Sequence, residues 1–389
     1  MSMHTTQPLA VRHWEVDVAR NFVPMTKQSG TVLITVVMMV AIAAIIVTDM
    51  SYRQKLDIKR TSALLSRDQA FHYLLGAEEI ANWTLVQDLK DDNDRNDPFI
   101  IDTLQENWAE KTQPFPVAGG LIQGRIVDLQ SRFNVNSIVA SDAKVATQQR
   151  GRLRRLMDSV GIPKDSESDV TTQMLVERMV DWLDANQDPE GFDGKEDLDY
   201  LALDTPYRAA NSVMWDISEL MLIEGFTADD IAELSDWVSF LPPDVALNVN
   251  TADPKILDAY DLGVPGAQIE EDRKKTQPGR HDGGYTDLQA FEDLVAQSAT
   301  PVPPGTSKQD PSEPDPPGGP GKDDPKSKLI GNFSVYSEYY LLDAEAIINE
   351  KPVLMRSILY RPTLKAGAKS NDITIKTLTR KLEDPLKRV

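Results

Sequence analysis

The sequence predicts an α+β fold in which a long N-terminal helix packs on an antiparallel sheet, and a large helical domain interrupts that sheet. Three observations carry this. An uncharged apolar run over residues 31–48 continues into a Pro-free, helix-compatible stretch as far as Lys90. Strand character follows between Leu121 and Asn136, then returns only at Asn332–Tyr340 and Val353–Tyr360. Helical patterning fills residues 142–240 between them.

The apolar run, TVLITVVMMVAIAAIIVT, has no polar face. As a helix it is roughly 27 Å long, close to the thickness of a bilayer core, so a membrane span is expected rather than a buried soluble helix. A cleaved signal peptide is the rival. Ala41-Ile42-Ala43 offers a small-x-small site, but a cut there would split the run, and the preceding polar stretch is longer than an ordinary n-region. Arg12, Arg20 and Lys27 lie before the span and Arg53, Lys55, Lys59 and Arg60 after it, so flanking charge does not orient it. Beyond the span, Phe71, Leu74, Ala77, Ala81 and Leu85 recur at spacings of three and four and make one apolar face. Asp91-Asp92-Asn93-Asp94 and Asn96-Asp97-Pro98 end the helix.

Gly119-Gly120 opens the alternating stretch Leu121–Leu129, and Phe133-Asn134-Val135-Asn136 continues in strand character. Helices are expected over Arg150–Val160, Thr171–Leu183, Ala209–Ile223 and Ala228–Phe240. The stretch 300–326, dense in Pro, Gly and Asp, reads as a disordered or polyproline-II linker loop. The basic tail after Pro362 reads as loosely ordered.

With 389 residues and 41% hydrophobic content the chain has room for two or three domains with real cores. A formal net charge of −20 disfavours nucleic acid or an anionic bilayer surface as a partner. Absence of Cys excludes thiolate metal sites and cysteine nucleophiles. The four histidines, His4, His13, His72 and His281, are scattered, and G-x-S-x-G, H-E-x-x-H and P-loop motifs are absent. Acidic pairs are plentiful but none stands apart by spacing, so an enzyme is not expected.

One segment carries distinctive chemistry. After the helix ending near Leu183, Asp184, Asn186, Asp188 and Glu190 place oxygen side chains at every second position, with Asp193, Glu196, Asp197 and Asp199 close behind. A turning chain with that spacing can aim its carboxylates at one centre, which suits Ca²⁺ and its six to eight oxygen ligands. A solvated acidic loop is the alternative reading. Pro189 stands where an EF-hand loop needs Gly, so this is not an EF-hand. Further on, Leu247–Ala252, a short helix and Gly263-Val264-Pro265-Gly266 look like a helix-hairpin-helix element. Such elements grip DNA phosphates, but Asp253, Asp258, Asp261, Glu270 and Glu271 surround this one, against Lys255, Arg273, Lys274 and Lys275, and favour a structural role.

Lys27-Gln28-Ser29-Gly30 before Thr31 resembles the leader of type IV pilins and type II secretion pseudopilins, in which a prepilin peptidase cuts after the Gly and the new N-terminus is methylated. That resemblance makes Gly30 and Thr31 the processing site and puts the N-terminus in the cytoplasm. The fifth residue of the trimmed chain is Thr35, where most pilins carry Glu; lack of that Glu resembles the K-type minor pseudopilins. Trp182-Leu183-Asp184, Asp188-Pro189, Gly194-Lys195-Glu196-Asp197, Tyr200, Pro206-Tyr207-Arg208-Ala209-Ala210-Asn211 and Glu219-Leu220 look like the signature of that family, with Lys195 where a small residue is more usual. The resemblance implies a pilin-like fold divided as follows: leader 1–30, transmembrane part 31–48, helix and first strands 49–141, inserted helical domain 142–299, linker 300–326, and last strands with the tail 327–389. It implies structural calcium held by Asp184, Asn186, Asp188, Glu190, Asp193, Glu196 and Asp197. It further implies a single-pass inner-membrane protein with its bulk in the periplasm, at the tip of a pseudopilus that supports protein export. The implied partners are the I-type and J-type minor pseudopilins, the inner-membrane secretion platform and the prepilin peptidase. A DNA-binding minor pilin of an uptake machine is the alternative.

Overall fold

The computed structural model describes residues 29–94, 100–165, 169–275, 280–281, 283–298, 333–362 and 374–383. Residues 1–28 of the leader and the whole 300–326 linker lie outside them. The chain divides into two units at Leu64. Helix α1 (Ser29–Asp94) runs through both.

In the first unit, α1 contains an 18-residue window of mean hydropathy 2.8, fully exposed, so it is long and apolar enough to cross a membrane. Two hydroxyls of the apolar stretch are satisfied within the helix. Thr35 Oγ1 donates to the Val32 carbonyl (2.9 Å) and Thr48 Oγ1 to the Ala44 carbonyl (2.8 Å), which removes the cost of carrying them into hydrocarbon.

The second unit starts at Leu65. Here α1 buries Ala70, Leu74, Ala81 and Leu85 against one face of a five-stranded antiparallel sheet. Phe71 and Ala77 flank that stripe, half-buried, so the predicted face is the packing face. The sheet order is β1 (Phe115–Val117), β2 (Gly120–Asp128), β9 (Tyr339–Ile348), β10 (Lys351–Tyr360), β11 (Lys376–Glu383). β9 gives Tyr340, Leu342, Ala344, Ala346 and Ile348 to the helix side at every second position; its alanines let the helix lie close. β9 and β10 are joined through Asn349 and Glu350, both at positive φ (49° and 65°), the backbone of a type I′ hairpin. Gly120 is required where β2 meets β9, because a Cβ would collide with the Ile347 carbonyl.

Two strands differ from expectation. Leu341–Ile348 is rich in Leu, Ala and Glu, good helix formers, yet pairing on both sides with β2 and β10 makes it the central strand. Part of the tail expected to be loose is β11, paired with β10 along Leu354–Tyr360. A buried carboxylate fastens it: Glu78 on α1 accepts from Arg380 Nη2 (2.6 Å) and Nε (2.9 Å), Ser357 Oγ (2.7 Å) and Thr377 Oγ1 (2.8 Å). Burial pushes Glu78 up, but these donors outweigh it and hold its carboxyl below the usual range. Arg380→Ala should therefore lower stability by about 2 kcal/mol in urea denaturation, because Glu78 stays buried without its cation. A midpoint equal to wild type would mean that β11 is not fastened this way.

Between β2 and β9 the chain builds the helical domain. Its main helices are α2 (Ala143–Ser159), capped by Asp142, α3 (Thr172–Leu183), capped by Thr171, and α5 (Ala228–Leu234), capped by Thr227. Leu153, Leu156, Met157, Leu175, Met179 and Val180 pack with Phe133 and Ile138 at its core. Instead of a helix over Ala209–Ile223, the structure has an irregular stretch and a 3-10 turn, Ile217–Leu222. Asn211 takes a positive φ of 46°, and both polar groups of Met214's backbone are claimed by the Asn136 side chain, so the helical ladder cannot form. α5 also stops early, because β4 (Val238–Ser239) pairs in parallel with β3 (Phe133–Asn134).

Sheet and helical domain meet at a buried polar knot. Arg361 (2% exposed) donates to Asp88 Oδ2 (2.8 Å), to both carboxylate oxygens of Asp102, and to the Ser337 carbonyl (3.0 Å), and lies 4.9 Å over the Tyr340 ring. Asp128, at the end of β2, accepts from Ser337 Oγ, Thr251 Oγ1 and the Gln130 N–H. Burial above all pushes the Asp128 carboxyl up to about 6.

Candidate metal centre

The acidic loop leaves the C-terminus of α3, whose last turn buries Val180, Asp181, Trp182 and Leu183 together. Asp184 is the C-cap. Its Oδ1 accepts from the Asn186 N–H (3.2 Å), and Asn186 Oδ1 accepts from the Asp188 N–H (2.7 Å), so two Asx turns in succession curl the chain. The loop then folds back on α3, with the Glu190 N–H donating to Asp181 Oδ1 (2.8 Å). Gly191 takes a φ of +64°, and a Cβ on Gly194 would strike Asp181 Oδ2 and the Glu190 backbone. Glu196 closes the loop and precedes α4 (Asp197–Leu201).

Three carboxylate oxygens in this loop are buried without a hydrogen bond: Asp181 Oδ2 and both oxygens of Glu196. Asp181 is 0% and Glu196 4% exposed. Burial, then the neighbouring charges of Asp181, Asp184, Asp197 and Asp188, pushes the Glu196 carboxyl up to about 7. Burial raises Asp181 to about 6, offset by backbone donors and reinforced by Asp184 and Glu190. Asp184 is raised as well, chiefly by burial. Buried polar atoms are ordinarily paired, and a buried carboxylate pair beside further carboxylates is costly. A hard, oxygen-seeking cation is the kind of partner that these unbonded carboxylate oxygens lack.

The structure brings together part of the sequence-predicted set. Glu196 and Asp184 lie at the cluster, and Asp188 is near enough to raise Glu196. Glu190 instead pairs its Oε1 with Arg150 Nη1 (2.8 Å). Asp197 accepts from the Ala209 N–H (3.0 Å) and from Arg208 Nη1 (3.4 Å). Asn186 serves the Asx turn through its oxygen, and Asp193 is anchored through its backbone, its N–H donating to Glu177 Oε2 (3.1 Å) and its carbonyl accepting from Arg178 Nε (3.2 Å). Asp181 was missed because it sits inside a helical stretch. An acidic residue between Val180 and Trp182 on the buried side of that helix is the signal that could have found it.

Among the described residues, the three carboxylates whose oxygens converge within 4.8 Å are Asp88, Asp102 and Glu106, not the loop's. That cluster already holds a cation, the Arg361 guanidinium. Burial and the Asp88 and Asp102 charges push Glu106 strongly up, towards its neutral form, and Trp108 Nε1 donates to it (2.6 Å). It reads as structure.

The hairpin element is formed by α6 (Pro254–Ala259) and α7 (Gly266–Arg273). The Gly266 N–H, which would face a phosphate, donates to Asp258 Oδ1 (2.6 Å). Its cations are also engaged: Lys255 over the Trp237 ring (4.8 Å), Arg273 on the Val249 and Ala252 carbonyls, Lys274 on Glu270, Lys275 on Asp272. Nothing in it is turned towards a nucleic-acid backbone.

A family model described as type II secretion system (T2SS), protein K, matches residues 131–243. A protein of Pseudomonas aeruginosa named type II secretion system protein K is 39% identical over 240 residues, which are 61% of this chain and 70% of that protein. The protein of that name from Aeromonas hydrophila is 31% identical over 289 residues, 71% of this chain and 83% of its own. In fold, the chain is similar to a solved structure described as the GspK-GspI-GspJ complex from enterotoxigenic Escherichia coli, with a TM-score of 0.61 and 23% identity over 84% of this chain and 99% of that one.

Proposed function

The chain belongs to the type II secretion system protein K family, and from that premise we propose that it is the minor pseudopilin that caps a type II secretion pseudopilus, supporting its assembly and the export of proteins across the outer membrane. The observation that carries this reading is the helical domain inserted between β2 and β9, on a subunit whose α1 is of pilin type. An insertion of that size would obstruct the stacking of a further subunit above it. Thr35 agrees, since a subunit with none above it has no use for a buried carboxylate that would meet the next N-terminal amine. The apolar half of α1 is the single-pass anchor in the inner membrane, with the second unit in the periplasm. I-type and J-type minor pseudopilins are the proposed partners; the solved complex joins a protein named GspK to proteins named GspI and GspJ. The secretion platform and the prepilin peptidase complete the set. The role is mechanical, and catalysis is not part of it.

Within the helical domain, Asp181, Asp184, Asp188 and Glu196 would hold calcium. When bound, the ion supplies positive charge to a loop that its own carboxylates otherwise expand.

The test is the N-terminal residue of the protein extracted from membranes, together with copurification. A chain beginning at methylated Thr31 that brings down I-type and J-type subunits is the expected result. An N-terminus elsewhere, or a monomer indifferent to both partners, would overturn the reading.

A further inference from the structure

The sheet face turned away from α1 does not pack tightly on the helical domain. A cleft of about 880 Å³ lies between β2, β9, β10 and β11 on one side and the 3-10 turn Ile217–Leu222 with α5 on the other. That volume is in the range of sites that enclose a ligand or a short stretch of peptide.

Its charge runs against that of the chain. The whole sequence has 61 acidic to 41 basic residues, whereas the cleft is lined by five cations and four carboxylates. Of the four carboxylates Asp236 is exposed, and the other three lie deeper than the cations they pair with. In the pairs Arg125–Asp343 (3.4 Å), Arg356–Glu383 (3.2 Å) and Lys381–Asp216 (2.9 Å), the cation is the more exposed partner every time. Apart from Asp236, what faces a visitor is therefore positive. Arg125, Arg132 and Arg356 are also close enough that burial, with their mutual repulsion, lowers Arg132. Arg356 Nε is buried yet makes no hydrogen bond, and the Asp343 oxygen it is paired with is 3.8 Å away, beyond bonding distance. Crowded guanidinium groups with an unspent donor are what an incoming carboxylate relieves, through geometry that matches it in pairs. Between the cations lies Leu341 on the sheet, and the opposite wall is apolar at Met221 and Ile231.

We propose that this cleft is a docking groove for an extended segment of a partner protein in which carboxylate and apolar side chains alternate. An extended chain sends successive side chains to opposite sides, so one row can meet the arginines while the other lies on the apolar wall. The inference rests on neither the calcium loop nor the pseudopilus assignment, and its test separates from theirs.

The probe is a fluorescein-labelled decapeptide alternating glutamate with leucine or valine, titrated with the full-length protein in nonionic detergent and read by fluorescence anisotropy. Expected is saturable binding that weakens with salt, and that falls about tenfold or more in Arg125→Glu and in Met221→Asp, which set a negative charge on opposite walls. Met221 is well exposed, so the thermal midpoint of its variant should match wild type; Arg125→Glu, which faces Asp343, is measured well below its own midpoint, which separates lost binding from lost folding. The proposal is overturned if a lysine-for-glutamate decapeptide binds equally well, if both variants bind as wild type does, or if inorganic polyphosphate binds while the peptide does not.

Discussion

Arg361→Ala is expected to destabilise the second unit by about 3–5 kcal/mol, the largest effect of any single substitution considered. The side chain is 2% exposed and is the cation that faces Asp88 and Asp102, from α1 and from the loop before β1. Removing it strands two buried carboxylates beside Glu106, which is already driven towards its neutral form. It also takes away the bond to the Ser337 carbonyl, and so loosens the segment that leads into β9. Arg361→Lys should recover only part of the loss, because a point charge cannot reach two carboxylates and a carbonyl in the fixed fork that a guanidinium provides. Urea denaturation followed by tryptophan fluorescence reads this directly, since Trp108 donates to Glu106 within the same cluster. A loss below about 1 kcal/mol for Arg361→Ala would mean that the knot is held by its hydroxyl and amide bonds instead.

Chelating calcium should have the next largest effect. If the ion satisfies the three orphaned oxygens, free calcium at a thousandfold over its dissociation constant stabilises the folded protein by about 4 kcal/mol, and its removal shifts the thermal midpoint accordingly. Asp181→Asn should abolish the calcium response although the residue lies outside the acidic repeat. Glu190→Gln should retain most of it, because Glu190 is turned to Arg150. Equal midpoints with calcium and with chelator would remove the metal assignment. A response lost in Glu190→Gln but kept in Asp181→Asn would favour the alternating-oxygen set read from sequence over the one read from the fold.

What the sequence made legible was governed by strong periodicity. The apolar run follows from its length and lack of charge, the face led by Leu74, Ala81 and Leu85 from 3.6-residue spacing, and the start of α3 from Thr171 ahead of an apolar stretch. The misses share a cause. Leu341–Ile348 has helical propensity and becomes a strand because β2 and β10 pair with it; Lys376–Glu383 is too polar to announce a strand and is held by Glu78. Met214 is taken out of a helix by Asn136, 78 residues away in sequence. At the candidate metal centre, the oxygen spacing after Leu183 picked out the loop beside the buried, unbonded carboxylates of Asp181 and Glu196. The spacing could not say which oxygens are spent on Asx turns and ion pairs, because those partners, Arg150 and Arg208, come from other elements.

The insertion between β2 and β9 has a kinetic consequence. Gln123 meets Glu345 across 222 residues of sequence and Asp128 meets Ser337 across 209, so the middle of the sheet cannot zip until nearly the whole chain is available. Closing so long a loop as free coil would cost roughly 5 kcal/mol in chain entropy beyond a constant term. The helical domain shortens that search. Once folded, it pairs β5 (Leu247–Asn248) with β8 (Phe333–Ser334), which delivers the chain to within five residues of β9. Folding should therefore be ordered, with the inserted domain acting as a template and the five-stranded sheet, the scaffold in the finished protein, being completed last.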